Sequence, residues 1–147
     1  MKRRTFLKGT ASAAATLACF PATLAGLERE TVAGRLERRS LGQTGEKLSV
    51  LGFGSLVLNG RSPEAASRLV REAVEAGVKY FDVAPSYGNA EELLGPALEP
   101  YRKDVFLGCK TGERRQKEAA AELERSLKRL RTEHLDLYQL HGVEEKA

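Results

Sequence analysis

Cysteine is almost absent from the 147 residues: Cys19 lies near the start and Cys109 far from it. With the first 25 residues set aside, one cysteine remains, and a single cysteine closes no internal disulfide. The neighbours of Cys109, Val105-Phe106-Leu107, are apolar, so it reads as a buried strand thiol rather than a reactive nucleophile. A charge excess is also missing from most of the chain. The formal net charge is +4, and Lys2, Arg3, Arg4 and Lys8 account for it. Residues 26–147 hold 20 basic and 20 acidic side chains. That balance argues against a nucleic-acid footprint. Long apolar runs are lacking too. Ala11–Phe20 is short and alanine-rich, where a membrane span needs about 20 residues. No metal site is expected. What remains, 41% hydrophobic and 30% charged, suits one globular domain with its own core.

Residues 1–25 read as an export signal. Arg3-Arg4 followed by Phe6-Leu7-Lys8 is similar to the twin-arginine motif, and the alanine-rich stretch follows it. Thr23-Leu24-Ala25 offers small residues for cleavage after Ala25. A lipoprotein attachment at Cys19 is the weaker reading. The expectation is export to the periplasm, or a cytoplasmic protein if the leader is not processed. Residues 26–34 read as a linker and 35–147 as the domain.

Within the domain, Arg35–Leu41 and Lys47–Val50 flank a glycine-containing turn and predict a hairpin. Leu51–Ser55 predicts a short strand, whose Gly52 and Gly54 either let a flat ligand approach the backbone or serve close strand packing. Ser62–Ala76 predicts a helix, with a serine cap, Pro63 at the first position and a stripe of Ala66, Leu69, Val70, Ala73 and Val74. Strand Lys79–Val83, helix Asn89–Leu98, strand Asp104–Lys110, helix Gln116–Leu130 and strand Leu135–His141 complete the series. Strands and helices alternating at this size predict a parallel sheet with helices outside it.

Three ionisable residues recur at one strand end. Asp82, Lys110 and His141 each close an apolar run, and the gaps between them are 28 and 31 residues. Each gap is about one strand-helix-strand repeat of ~30 residues. Tyr87 lies in the loop after Asp82. The carboxyl ends of parallel strands are where chemistry collects. Taken singly, each has a plain alternative: a structural ion pair for Asp82 and Lys110, an exposed aromatic for Tyr87, a core histidine for His141. Together, at matching positions, they read as a site. His134 falls at the opposite strand end and reads as structural. Arg114, Arg115 and Lys117 read as a solvated loop.

On these residues the chain resembles the aldo-keto reductases. Phe81-Asp82-Val83-Ala84-Pro85-Ser86-Tyr87-Gly88-Asn89-Ala90-Glu91 is similar to that family's signature around its aspartate and tyrosine. Cys109-Lys110-Thr111 is similar to its lysine strand, and Asp136-Leu137-Tyr138-Gln139-Leu140-His141 to its histidine strand. Arg39–Gly45 with Leu51-Gly52-Phe53-Gly54 resembles its N-terminal segment. The resemblance implies an α/β fold, a (β/α)8 TIM barrel, of which this chain carries the hairpin and the first four strand-helix repeats. It implies NADPH, held in part by Gly52, Phe53, Gly54, Ser55 and Asp82, and a small carbonyl substrate reduced to an alcohol. Loops that grip the cofactor's phosphates come mostly from the second half of such barrels and are expected to be absent here. Unpaired sheet edges then predict self-association and negligible turnover for the 147 residues alone.

The implied roles follow from chemistry. A carbonyl accepting hydride develops negative charge on oxygen and needs a proton donor. A free tyrosine has a pKa of about 10, and a nearby ammonium favours its phenolate. Tyr87 is thus the acid, Lys110 its tuner, Asp82 the anchor of Lys110 and His141 the orienter of the carbonyl. Two other classes compete. One is a Schiff-base lyase with Lys110 as nucleophile, which Asp82 disfavours. The other is a binding subunit or inactive fragment that keeps the signature without turnover.

Overall fold

A serine starts the first helix. In the computed structural model, which describes residues 36–143, Ser62 has extended backbone angles and its Oγ accepts the Ala65 N–H at 3.3 Å. Helix α1, Pro63–Glu75, follows and buries Ala66 and Val70. The other elements are β1 (Arg38–Ser40), β2 (Lys47–Ser49), β3 (Gly52–Gly54), β4 (Tyr80–Asp82), α2 (Ala90–Leu98), β5 (Phe106–Thr111), α3 (Gln116–Leu130) and β6 (Leu137–Leu140).

β1 and β2 form the expected antiparallel hairpin. Ser49 ties it to the sheet: its Oγ accepts the Lys79 N–H at 2.8 Å and donates to the Leu51 carbonyl at 2.6 Å. The main sheet is parallel, in the order β3-β4-β5-β6. Consecutive parallel strands in chain order are the wall of a barrel; a doubly wound sheet reverses direction at a switch point.

The strands are shorter than the sequence pattern predicts. The predicted strand Lys79–Val83 is reduced to Tyr80–Asp82 and Leu135–His141 to Leu137–Leu140, while Asp104–Lys110 shifts to Phe106–Thr111. Pairing nevertheless reaches beyond these bounds. Val83 donates to the Gly108 carbonyl at 3.0 Å, and His141 to the Thr111 carbonyl at 2.8 Å. His141 therefore sits just past β6, on its last rung. Ser55 is not strand but opens a 3-10 turn, Ser55–Leu58.

The two sheet faces have different work. Phe81, Val83, Leu107 and Cys109 point at the helices and are 0–1% exposed. They pack with Ala66 and Val70 of α1, Leu94 and Leu98 of α2, and Leu130 of α3. Burying each large apolar side chain contributes about 1.5–3 kcal/mol. The alternate residues Tyr80, Asp82, Phe106, Gly108 and Lys110 share the opposite face, as period-2 alternation requires.

Candidate functional site

The loop after β4 is fixed before its side chains are considered. Tyr87 N–H donates to the Ala84 carbonyl at 3.0 Å, closing a turn around Pro85. Gly88 follows at φ +61°, where a Cβ would sit 2.1 Å from Asn59 Oδ1. Asn89 Oδ1 in turn accepts the Gly60 N–H at 2.8 Å. The segment before α1 and the Tyr87 loop thus clasp each other, and only glycine fits at 88.

Asp82, Tyr87, Lys110 and His141 converge at the carboxyl end of the sheet. Lys110 Nζ forms an ion pair with Asp82 Oδ2. The same ammonium lies 3.4 Å from the Val83 carbonyl and 3.4 Å from the Tyr87 hydroxyl. It stands 5.2 Å from the Tyr87 ring centroid. The His141 ring meets the Tyr87 ring edge-on, with centroids 5.7 Å apart and an 84° interplanar angle. Ser86 Oγ is 3.3 Å from His141 Nδ1. The Lys110 side chain is 14% exposed and that of Asp82 23%, so their attraction is less screened than that of a surface pair.

Asp82 has a second partner, two residues back on the same face of β4. Tyr80 donates its hydroxyl to Asp82 Oδ1 at 3.2 Å. Burial, and then the charge of Asp82, push the Tyr80 pKa up to about 12, so this phenol remains a donor. Its ring occupies space left by glycines on both neighbouring strands. A Cβ at Gly52 would lie 2.8 Å from Tyr80 Cδ1, and one at Gly108 3.1 Å from its hydroxyl. Alternation alone marks Tyr80 as facing the site, and that signal was available.

The candidates for holding a cofactor divide. Gly54 pairs with Asp82 across the sheet and has open space beside it. Ser55 Oγ is buried and has no hydrogen-bond partner among the described residues. An open backbone beside a carboxylate, with an orphan hydroxyl next in sequence, fits a polar ligand with a flat ring. Phe53 is a correction: its ring packs on Phe81, 5.3 Å between centroids, in the layer beneath the helices. Gly52 is explained by the Tyr80 ring. In a strand of three residues, the middle side chain takes the face opposite its neighbours.

Other expectations fare variously. Cys109 is buried, and burial followed by the charge of Glu91 pushes its pKa up to about 12. A thiol so held is no nucleophile at neutral pH. Glu91, in the first turn of α2, is 1% exposed, 3.1 Å from Arg129 Nη1. His134 lies at the far end of the sheet, exposed, 3.9 Å from Asp136. Arg115 and Lys117 are exposed as expected. Arg114 is not merely solvated, because its guanidinium bonds the His141 carbonyl at 2.6 Å. Among the described residues no helix is long and apolar enough to cross a membrane. The leader, residues 1–25, and the linker, 26–34, lie outside the described residues.

Comparison with known proteins agrees with this geometry. Residues 50–147 match the model of the aldo/keto reductase family. The chain is 35% identical over 124 residues to the uncharacterized oxidoreductase YqkF of Bacillus subtilis, covering 73% of this chain and 39% of that protein. It is 31% identical over 125 residues to L-galactose dehydrogenase of Arabidopsis thaliana, covering 75% and 39%. The chain thus spans about two fifths of the length of these curated relatives. Among solved structures, the holo form of an aldo-keto reductase from Bacillus halodurans superposes with a TM-score of 0.64 at 35% identity, over 75% of this chain and 41% of that one. An aldo-keto reductase from Klebsiella pneumoniae in complex with NADPH gives a TM-score of 0.56 at 28% identity, over 68% and 37%. The hairpin and the four parallel strands are therefore the opening sector of a (β/α)8 barrel, and the chain belongs to the aldo/keto reductase family.

Proposed function

We propose that this chain carries the proton-delivering part of an NADP(H)-dependent oxidoreductase that reduces aldehydes or ketones to alcohols. The observation that carries the reading is the contact of one ammonium, Lys110, with the Asp82 carboxylate and the Tyr87 hydroxyl. Hydride comes from the nicotinamide cofactor when it is bound. The protein must supply a proton to the carbonyl oxygen as negative charge develops there. Tyr87 donates it from its hydroxyl. The phenolate left behind faces the Lys110 ammonium, whose charge stabilises it. Asp82 keeps that ammonium oriented, and Tyr80 fixes the other carboxylate oxygen. His141, beside the Tyr87 ring, orients the carbonyl by hydrogen bonding. Gly54, Ser55 and Asp82 border the place for the nicotinamide. The cofactor reading also draws support from the NADPH complex of the Klebsiella pneumoniae relative.

The Schiff-base alternative requires a neutral amine at Lys110. An ammonium in contact with a carboxylate has no lone pair with which to attack a carbonyl, so the ion pair favours the reductase.

The test is consumption of NADPH with a panel of aldehydes and ketones by the barrel completed with its remaining strands. Turnover that depends on the carbonyl supports the reading. Tight NADPH binding with no turnover on any carbonyl would favour a binding subunit instead. For the 147 residues alone we expect self-association, on the strength of Leu51, Leu140 and Val143, which are exposed beside β3 and β6. A monodisperse monomer in sedimentation would contradict it. Export by the twin-arginine route belongs to the same proposal and rests on Arg3-Arg4 with Phe6-Leu7-Lys8. Replacing both arginines with lysine should retain the precursor in the cytoplasm, and unchanged export would refute the route.

A further inference from the structure

His141 stands where its strand has ended. Its N–H makes the last rung, to the Thr111 carbonyl at 2.8 Å, and the chain then turns at Gly142, φ +60°. Beyond that rung, the backbone oxygens of His141 and Gly142 point to no sheet neighbour. Both are taken by one side chain. Arg114 Nη2 donates to the His141 carbonyl at 2.6 Å and to the Gly142 carbonyl at 3.1 Å. Its Nη1 donates to the Gly112 carbonyl at 2.9 Å. The guanidinium bridges the three carbonyls as a rigid planar fork, a geometry that a lysine ammonium does not fix.

The base of that fork is itself held. Glu122 of α3 accepts from Thr111 Oγ1 at 2.6 Å and from the Gly112 N–H at 3.0 Å. Thr111 Oγ1 accepts the Glu113 N–H at 3.0 Å. A continuous set of hydrogen bonds runs from α3 through Thr111 and Gly112 to Arg114, and on to the backbone of His141. At the far end the His141 ring meets Tyr87 and Ser86.

We propose that Arg114 is a positioning residue that fixes the turn carrying His141, so that the imidazole is held against Tyr87. It touches neither substrate nor reacting atoms. The proposal rests on the reductase reading for its importance to turnover, but the placement of His141 is testable without any activity. Glu122 contributes to the same end at one remove.

The chain holds only two histidines, His134 and His141, so proton NMR of the full chain can resolve both. His134 lies at the opposite end of the sheet and serves as an internal control for folding. In the unaltered protein, the His141 ring should give cross-relaxation peaks to the Tyr87 ring. Arg114→Gln should lose those peaks and leave the His134 resonances unmoved. Arg114→Lys should restore them only in part. With Arg114→Ala, added guanidinium ion below denaturing concentration should bring them back. Glu122→Gln should weaken them less than Arg114→Gln does. Undiminished His141–Tyr87 peaks in both Arg114→Gln and Arg114→Ala would overturn the proposal. If the reductase reading alone is wrong, the NMR result stands and the barrel completed with its remaining strands reduces no carbonyl. If the positioning alone is wrong, the completed barrel turns over and its kcat/KM is unchanged in Arg114→Gln.

Discussion

The sheet carries an acid-base pair at each end, and the two pairs are near twins in charge and burial. At the carboxyl end, Lys110 and Asp82 are 14% and 23% exposed. At the amino end, Arg102 and Asp136 are 13% and 25% exposed, 2.9 Å apart. Their surroundings separate them. Arg102 also bonds Thr132 Oγ1 at 3.0 Å, the Val105 carbonyl at 3.2 Å and the His134 carbonyl at 2.9 Å. Asp136 accepts the Leu107 N–H at 2.8 Å. Each of the three Arg102 nitrogens bonds the chain itself, so that pair holds β5 and β6 together. At the other end the reach of Lys110 extends to a phenol hydroxyl, and an imidazole stands beside that phenol. A half-buried ion pair is thus weak grounds for a site; what it leaves within reach of a ligand decides the matter.

That contrast can be broken by substitution. The largest effect should come from Tyr87→Phe at the carboxyl end. In the completed barrel, removing the hydroxyl should lower carbonyl reduction by ~10²–10⁴-fold while NADPH affinity and denaturant midpoint stay put. Near-normal turnover would identify a different acid. Next is Arg102→Met at the amino end, which strips the charge-assisted bonds to Asp136 and its neighbours. It should cost about 2–3 kcal/mol of stability, read from denaturant unfolding, and leave turnover of the folded protein intact.

Alkaline pH should act on the layer between these ends. Tyr80 and Cys109 keep their protons to about 12 in the folded protein, against ordinary values of 10.0 and 9.0. The unfolded chain releases those protons first. Their contribution to stability is therefore full below about pH 9 and is lost as pH rises toward 12. A denaturant midpoint that stayed flat across that window would contradict the burial of both groups. The smallest effect belongs to the exposed helical pair Arg71–Glu75, 3.9 Å apart on α1. Glu75→Gln should cost no more than about 0.5 kcal/mol.

Much of this arrangement was legible in the sequence because it is local and periodic. The serine cap and Pro63 fixed the start of α1, and the ~30-residue recurrence of Asp82, Lys110 and His141 placed them at one end of one sheet. What stayed hidden depends on distant partners. Arg114 in a run of charges looks solvated, and only the fold brings the His141 carbonyl to its guanidinium. Glu91 looks like any first-turn carboxylate until Arg129, 38 residues away, covers it. Phe53 was read toward the site because Gly52 and Gly54 invite a ligand. The pleat sends the residue between them to the helices, where Phe81 receives it.

The most direct test, in the completed barrel, sets Lys110→Met beside Arg102→Met and reads both variants twice, for NADPH-dependent carbonyl reduction and for denaturant midpoint. The account predicts that Lys110→Met abolishes reduction even in protein that remains folded, while Arg102→Met lowers the midpoint and leaves the folded protein active. If Lys110→Met reduces carbonyls at an undiminished rate, the carboxyl-end pair is structural like its counterpart, and the proposed proton delivery through Tyr87 is wrong.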